Sequence, residues 1–143
     1  MKIIKANKEH LEQLVQLEKQ RFDDNYSYKT LENDLNNKNN VLWVLIEDDE
    51  VVGYIDIFYI FDEANLQRIA LFSNYEGKGY ASKLLRHAER FLLKRGIAKV
   101  YLEVSESNKH AINFYIKNGY RETNRRKDYY RDLSDAIIMW KFF

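Results

Sequence analysis

The sequence contains no cysteine and no proline, and only five of its 143 residues are glycine. Without cysteine, the chain cannot form a disulfide bond, a thiolate metal site or a cysteine-linked catalytic intermediate. No apolar run approaches the roughly 20 residues that a membrane-spanning helix needs, and the first five residues do not read as a signal peptide. We therefore expect a cytoplasmic protein with no membrane partner and no metal cofactor.

Charge of one sign is not in excess either. Lys and Arg together number 23 against 22 for Asp and Glu, which leaves a formal net charge of +1. Because affinity for nucleic-acid backbones is largely electrostatic, we expect no nucleic-acid partner. Residues 121–131, which mix basic and aromatic side chains, keep nucleic-acid binding only as the weakest functional hypothesis.

The length fits one domain over residues 1–143, as a monomer or a homodimer, and 45% hydrophobic residues are enough for a globular core. Hydrophobic periodicity and turn residues predict alternating strands and helices, with N-caps at Asn7 and Ser27 and a last helix that starts at Asn108 or a neighbour. Turns are predicted at residues 48–50 and 62–65, and a charged loop at residues 125–131. We predict strands at residues 1–5, 41–46, 51–61, 66–72, 99–105, 120–123 and 135–142, and helices at residues 7–21, 27–35, 83–94 and 108–118.

The most informative stretch is Asn-Tyr-Glu-Gly-Lys-Gly-Tyr-Ala-Ser at residues 74–82, between a predicted strand and a strongly amphipathic helix. Gly77 and Gly79 allow backbone shapes that other residues resist and let a ligand approach the main chain closely. Exposed N–H groups that lead into a helix bind anions, and Lys78 adds a cation. A lone Gly-x-Gly is also typical of a plain tight turn, but the lysine, the small residues that follow and the helix patterning favour an anion site.

Two residues in the second half are candidates for proton transfer. Glu103 lies on the strand that follows this helix, where a carboxylate can take a proton from an amine, directly or through one water. Tyr115, on the next helix, can give a proton to a leaving thiolate. Each has a purely structural interpretation as well, as a solvent-facing glutamate and as one of 11 tyrosines packed at the core edge. Spacing alone favours the structural interpretation.

These segments together resemble the GNAT superfamily of N-acetyltransferases. The motif Gln/Arg-x-x-Gly-x-Gly/Ala, which binds the pyrophosphate of acetyl-coenzyme A in that family, corresponds to Glu76, Gly79 and Ala81, with Glu76 departing from Gln or Arg. The recurring segment Leu-Glu-Val, Asn, Ala-x-x-x-Tyr and Gly-Tyr is matched within residues 102–120. Paired Arg, paired Tyr and Asp-Ala-Ile-Ile-Met within residues 125–139 are similar to the ribosomal-protein alanine N-acetyltransferases.

The resemblance implies an α/β fold with a mixed, mostly antiparallel sheet, a central parallel strand pair and flanking helices. It implies an acyltransferase that moves the acetyl group of acetyl-coenzyme A to a primary amine by direct attack. Glu103 would be the general base and Tyr115 the general acid. The remaining site residues would bind the co-substrate: the main chain of Ile69, Ala70 and Leu71 the acetyl and pantetheine arm, residues Gly77, Lys78, Gly79, Tyr80, Ala81 and Ser82 the pyrophosphate, and Asn108 the coenzyme.

The acceptor side departs most from the family pattern. Residues 22–26 lack the Pro and Trp of the relatives' Phe-Pro-Trp-type segment, and Arg68 stands where those relatives tend to have Asn. The acceptor amine therefore stays open at this point.

Three interpretations of the acceptor side remain. A protein N-terminus predicts an open groove between the early helices and the loop around Tyr129 and Tyr130. A small amine of the polyamine type predicts a closed acidic pocket. A coenzyme A-binding module without catalysis would keep the fold, although the presence of both proton-transfer candidates argues against it. The candidate residues for an acidic pocket are Asp23, Asp24 and Asp56.

Overall fold

The computed structural model describes residues 1–143 as a seven-stranded sheet with four α-helices. The spatial order is β1-β2-β3-β4-β5-β7-β6, and every neighbouring pair is antiparallel except β4 and β5. The predicted mixed, mostly antiparallel sheet with one central parallel pair is confirmed. The strands are β1 (Lys2–Lys5), β2 (Asn40–Glu47), β3 (Glu50–Ile60), β4 (Glu63–Leu71), β5 (Lys99–Ser105), β6 (Arg121–Arg126) and β7 (Ala136–Phe142), and the helices are α1 (Leu11–Arg21), α2 (Tyr28–Asn36), α3 (Tyr80–Lys94) and α4 (Lys109–Lys117).

Polar caps fix the helix starts. The side chain of Asn7 caps a short 3-10 turn that leads into α1, and those of Ser27 and Asn108 cap α2 and α4 by accepting from main-chain N–H groups. The predicted N-caps at Asn7 and Ser27 are confirmed, and the predicted helix start at or near Asn108 is confirmed with Asn108 as its cap. α3 begins at Tyr80, earlier than predicted, because Gly79 enters the helix with φ +79°.

Two strand boundaries differ from the prediction by three residues, and the others by at most one. The turn predicted at residues 62–65 is wrong, because Phe61 takes φ +54° and the chain reverses at once into Glu63. Residues 63–65 then lie in β4, where Glu63 and Asn65 alternate with buried neighbours on a face that reaches solvent. The loop predicted from residue 125 begins later, because β6 stays paired with β7 as far as Arg126.

The helices cover the two faces of the sheet unequally. α3 and α4 lie on one face, above a core that includes Leu84, Leu102 and Met139. α1 and α2 pack on the other face against β2, β3 and β4, where Leu14 and Leu31 are fully buried. The core under α1 and α2 contains no residue of β5, β6 or β7, so these three strands are uncovered on that second face. None of the helices combines the length and hydrophobicity that a membrane crossing requires.

The parallel strands β4 and β5 pair only at their beginnings. Their register runs from Glu63 opposite Lys99 to Asn65 opposite Tyr101, and it ends there. Beyond this point β4 continues to Leu71 along β3, and β5 continues along β7. The two central strands therefore diverge, and each presents an unpaired main-chain edge to the gap between them.

A β-bulge lies just beyond the last β4–β5 pair. Arg68 is opposite Asp56 and Leu66 is opposite Ile57, so Gln67 is the extra residue on β4. One extra residue reverses which face each later side chain occupies. Leu66 and Ile69 accordingly contact the core under α3, whereas Arg68 lies on the face that α1 and α2 cover.

Candidate active site

A continuous cleft runs from the gap between β4 and β5 to the N-terminus of α3. Its inner part, the first cavity, has a volume of about 220 Å³, and its outer part, the second cavity, has about 330 Å³. The two parts share five lining residues, so they form one channel. Most of the predicted co-substrate residues meet there: Ile69, Ala70, Leu71, Ala81, Asn108 and Tyr115 in the first cavity, and Gly77, Gly79, Tyr80, Ala81 and Ser82 in the second.

The outer part has the properties of an anion cradle. Gly77 and Gly79 have φ values of +78° and +79°, and the space that a Cβ atom would enter at either position is empty. The main-chain N–H groups of residues 77–82 donate to no acceptor within the protein. Free donors at the positive end of a 15-residue helix suit a pyrophosphate group. Lys78 is exposed and lines neither cavity, so its charge acts only from the rim.

The side chains of the loop are engaged elsewhere in the protein. The Tyr80 hydroxyl donates to Glu47 at 2.6 Å, and Ser82 accepts from the Asn118 amide at 3.3 Å. Asn108 accepts from the Ala111 N–H, which leaves its amide group for a ligand in the first cavity. The loop therefore offers main-chain donors rather than side chains to a bound group.

Glu76, the residue that departs from the family motif, is neutralised by α1. Its Oε1 lies 2.7 Å from Arg21 Nη1, and its Oε2 lies 3.9 Å from His110 Nε2 on α4. Both partners line the first cavity. A carboxylate that would repel a bound pyrophosphate is thus paired across the cleft.

Tyr115 lies in the first cavity, where its ring packs edge-on against Phe114 and Tyr120. Burial raises the pKa of the Tyr115 hydroxyl well above its usual value, and the Arg68 cation opposes this only in part. The hydroxyl therefore keeps its proton at neutral pH, as a general acid must.

Glu103 occupies a different cavity, on the sheet face that no helix covers. This third cavity has a volume of about 320 Å³ and includes Tyr101 and Trp140. The Glu103 side chain is 30% exposed, and its Oε1 lies 3.8 Å from Arg126 Nη1. The structure does not bring Glu103 into the cavity that holds Tyr115. The two predicted proton-transfer residues lie on opposite faces of the sheet.

Tyr130 lies in the loop between β6 and β7 and is half-buried. Burial raises the pKa of its hydroxyl, and the charges of Glu103 and Asp24 add to the effect. The open groove that a peptide acceptor predicts between the early helices and residues 129–130 stays a prediction.

The acidic residues do not combine into one closed pocket. Asp56 is fully buried, accepts from the Asn40 amide at 2.9 Å and lines none of the three cavities. Burial and the neighbouring Asp34 carboxylate raise the pKa of Asp56 to about 9. Asp24 lies in the exposed loop and contacts Arg68. The arrangement predicted for a small polyamine-type acceptor is therefore absent from these cavities.

Sequence reasoning missed several lining residues. Two of them, His110 and Phe114, each precede a predicted α4 residue, Ala111 or Tyr115, by one position. Helical spacing could therefore have identified them. Nothing in the sequence relates the end of α1 to the glycine loop, because that contact depends on packing across the sheet. The missed residues include Arg21, His110 and Phe114.

Comparison with known proteins defines the class. The acetyltransferase (GNAT) family model matches residues 9–120. The chain belongs to this family, and it is an acetyl-coenzyme A-dependent N-acetyltransferase.

Individual relatives show which members of the family the chain resembles. The chain is 34% identical over 132 residues to the [ribosomal protein bS18]-alanine N-acetyltransferase of Haemophilus influenzae, covering 90% of this chain and 89% of that protein. A crystal structure of the Escherichia coli enzyme of corresponding name superposes with a TM-score of 0.91 at 29% identity, over 99% of this chain and 92% of that one. PaiA N-acetyltransferase from Thermoplasma acidophilum, solved with coenzyme A, shares the fold at a TM-score of 0.86 and 24% identity, over 99% and 98% of the two chains.

Proposed function

We propose that this chain acetylates the N-terminal α-amine of a protein, with a ribosomal protein as the acceptor. The observation that supports a polypeptide acceptor is the position of Glu103, in an open cavity on the uncovered sheet face. The name of the Haemophilus influenzae relative assigns that enzyme to the alanine of ribosomal protein bS18. A ribosomal acceptor would also place the reaction in the cytoplasm.

The cleft fits acetyl-coenzyme A by its donor chemistry. The free N–H groups of residues 77–82 would hold the pyrophosphate, and Asn108 would contact the coenzyme arm. The unpaired β4 edge at residues 69–71 would hydrogen-bond the pantetheine amides and polarise the thioester carbonyl. The coenzyme supplies the activated acetyl group, and the protein supplies position and proton transfer.

The reaction needs two proton transfers. The amine nitrogen attacks the thioester carbon, the carbon–sulfur bond breaks, and the thiolate leaves. In this proposal Glu103 takes the proton from the amine, and Tyr115 gives one to the thiolate. Because Glu103 lies outside the cavity of Tyr115, a water molecule would relay the proton to Glu103.

An α-amine suits a base in such an exposed position. A protein α-amino group has a pKa of about 7.7–8.0, against about 10.4 for a lysine side chain. A substantial fraction of α-amines is therefore already neutral near pH 7.5. A carboxylate that reaches the amine only through a water molecule is enough for this acceptor, whereas a lysine side chain would demand a stronger base.

The test compares acceptors at one enzyme concentration. A peptide with an N-terminal alanine is assayed beside the same peptide with a blocked N-terminus and beside a polyamine panel. Released coenzyme A is read with a thiol reagent, since the chain has no cysteine to contribute background. We expect turnover only with the free α-amine. Faster turnover of a polyamine would contradict the proposal, and coenzyme binding without any turnover would favour the non-catalytic module.

A further inference from the structure

The loop between α1 and α2, residues 22–26, extends past both halves of the proposed site. Phe22 lines the first cavity, which holds Tyr115. Asp24 is close enough to Tyr130 to raise its pKa, together with Glu103. The loop therefore borders the first cavity through Phe22, and the charge of Asp24 acts on the same tyrosine as the charge of Glu103.

Few hydrogen bonds connect the loop to the rest of the protein. It belongs to no helix or strand. Two of these bonds lead to Glu18 on α1, whose carbonyl accepts from the Phe22 N–H at 2.9 Å and whose Oε1 accepts from the Tyr26 N–H at 2.8 Å. The connection to the sheet is Arg68 on β4, whose Nη2 donates to the Asp24 carbonyl at 2.7 Å.

Arg68 holds the loop by its flat faces as well as by its hydrogen bonds. Its guanidinium carbon lies 3.9 Å from the Phe22 ring centroid and 4.1 Å from the Tyr26 ring centroid. Its Nη2 also lies 3.2 Å from Glu18, which is fully buried and accepts from the Tyr54 hydroxyl. A planar guanidinium can stack and pair at once, which a lysine ammonium cannot.

The β-bulge at Gln67 is the reason that this contact exists. Without the extra residue, strand alternation would direct Arg68 to the same face as Leu66, into the core under α3. The bulge instead directs Arg68 to the face of α1, within reach of the loop. The bulge that follows the divergence of β4 and β5 therefore places Arg68 where it can hold residues 22–26.

We propose that Arg68 is a positioning residue for the acceptor, fixing residues 22–26 as one wall of the entrance to the thioester; this inference rests on the proposed function. It affects acceptor affinity more than acetyl-coenzyme A affinity, because Arg68 itself lines neither cavity of the cleft and reaches the first cavity only through Phe22.

The test removes the contacts of Arg68 with the loop without leaving the buried Glu18 carboxylate unpaired. Arg68→Met would leave Glu18 unpaired, so the main variant combines Arg68→Met with Glu18→Gln, which keeps hydrogen-bonding atoms for Tyr26 and Tyr54. Arg68→Lys retains the charge but loses the planar stack. Arg90→Met, which removes an exposed arginine on α3, is the matched control.

Three quantities are measured for each variant: steady-state kinetics with the alanine peptide, acetyl-coenzyme A affinity by calorimetry, and amide hydrogen exchange of residues 22–26. For the double variant we expect the peptide KM to rise about tenfold with a smaller change in kcat, and acetyl-coenzyme A affinity to stay within about twofold. Loop amides should exchange faster. Arg68→Lys should be intermediate, and Arg90→Met should behave as the unmodified enzyme.

The outcomes separate this inference from the proposed function. If the unmodified enzyme does not turn over the peptide, the proposed acceptor is wrong, and the kinetics are repeated with whichever amine is accepted. Unchanged exchange of the loop in the double variant would overturn the positioning role whatever the acceptor is. Equal losses of acceptor and coenzyme affinity would also overturn it, because they would indicate a general structural effect.

Discussion

Arg21 on α1 and Glu76 beside the glycine loop form an ion pair across the mouth of the cleft, with Nη1 and Oε1 2.7 Å apart. Glu76 occupies the position at which the family motif carries Gln or Arg. The pair offers a physical account of how the cradle tolerates a carboxylate, since the cation from α1 cancels much of its field. Both side chains are about a third exposed, so the pair contributes little to stability and acts mainly on the local charge.

This pairing predicts opposite effects for two substitutions. Glu76→Gln removes a negative charge near the bound pyrophosphate and should strengthen acetyl-coenzyme A binding by about threefold, an effect that shrinks at high salt. Arg21→Met releases the carboxylate and should weaken binding by a similar factor. Calorimetric titration at two ionic strengths measures both. Weaker binding in Glu76→Gln would indicate that the carboxylate itself organises the cradle.

Tyr115→Phe should lower kcat by about 10²-fold and leave acetyl-coenzyme A affinity unchanged. The pKa of Tyr115 is raised by burial, and its hydroxyl makes no hydrogen bond to a protein group, so its removal should not destabilise the fold. Tyr120→Phe is the matched control. Its hydroxyl donates to Glu89 at 2.9 Å, so this variant should lose stability to urea and keep kcat. Equal turnover in the two variants would remove the proton-donor role of Tyr115.

Glu103→Gln should lower the rate most at low pH. Below a pH of about 7.7 the α-amine is mostly protonated and depends on the base, whereas above it the free amine attacks unaided. The ratio of unmodified to variant kcat/KM should therefore fall as pH rises. Glu63→Gln changes a carboxylate in the same cavity and should have a flat ratio. A flat ratio for Glu103→Gln as well would show that Glu103 is not the base.

Asp56 predicts a pH dependence of stability. Its pKa is raised to about 9 in the folded protein, against 3.8 for an ordinary aspartate, so the folded state holds a proton that the unfolded state has lost between these values. Stability from this group is complete below about pH 4 and falls as pH rises toward 9, by up to about 1.4 kcal/mol per pH unit.

The Asp56→Asn variant has no titrating group at this position. Its free energy of unfolding should therefore rise relative to that of the unmodified protein as pH increases. Urea unfolding at about pH 5 and about pH 8 measures the change. The exposed Asp23→Asn serves as control and should show no such trend. A difference that stays constant between these pH values would mean that Asp56 is ionised in the fold.

Local sequence signals predicted the elements and their caps well. Asn7, Ser27 and Asn108 cap helices because each accepts from a nearby N–H, an interaction within a few residues of chain. The type of each strand and helix follows from side-chain periodicity, which is also local. The pyrophosphate loop was recognisable because its glycines and its position before α3 are contiguous in sequence.

The parts that sequence did not predict depend on contacts between distant segments. The bulge at Gln67 exists only relative to the register of β3, and the divergence of β4 from β5 only relative to a strand about 35 residues later. Alternation placed Glu103 on one face of β5, but it could not tell which face a helix leaves uncovered. For that reason Glu103 and Tyr115 were predicted as neighbours, and the structure separates them into two cavities.

The divergence of the two central strands leaves main-chain hydrogen-bonding groups without a partner strand. Acetyl-coenzyme A, whose arm carries amides, would bond to those groups for the duration of one turnover. In the proposed reaction the free protein is therefore an incomplete sheet that the coenzyme completes, and release of the product thiol would expose the β4 edge at residues 69–71 again.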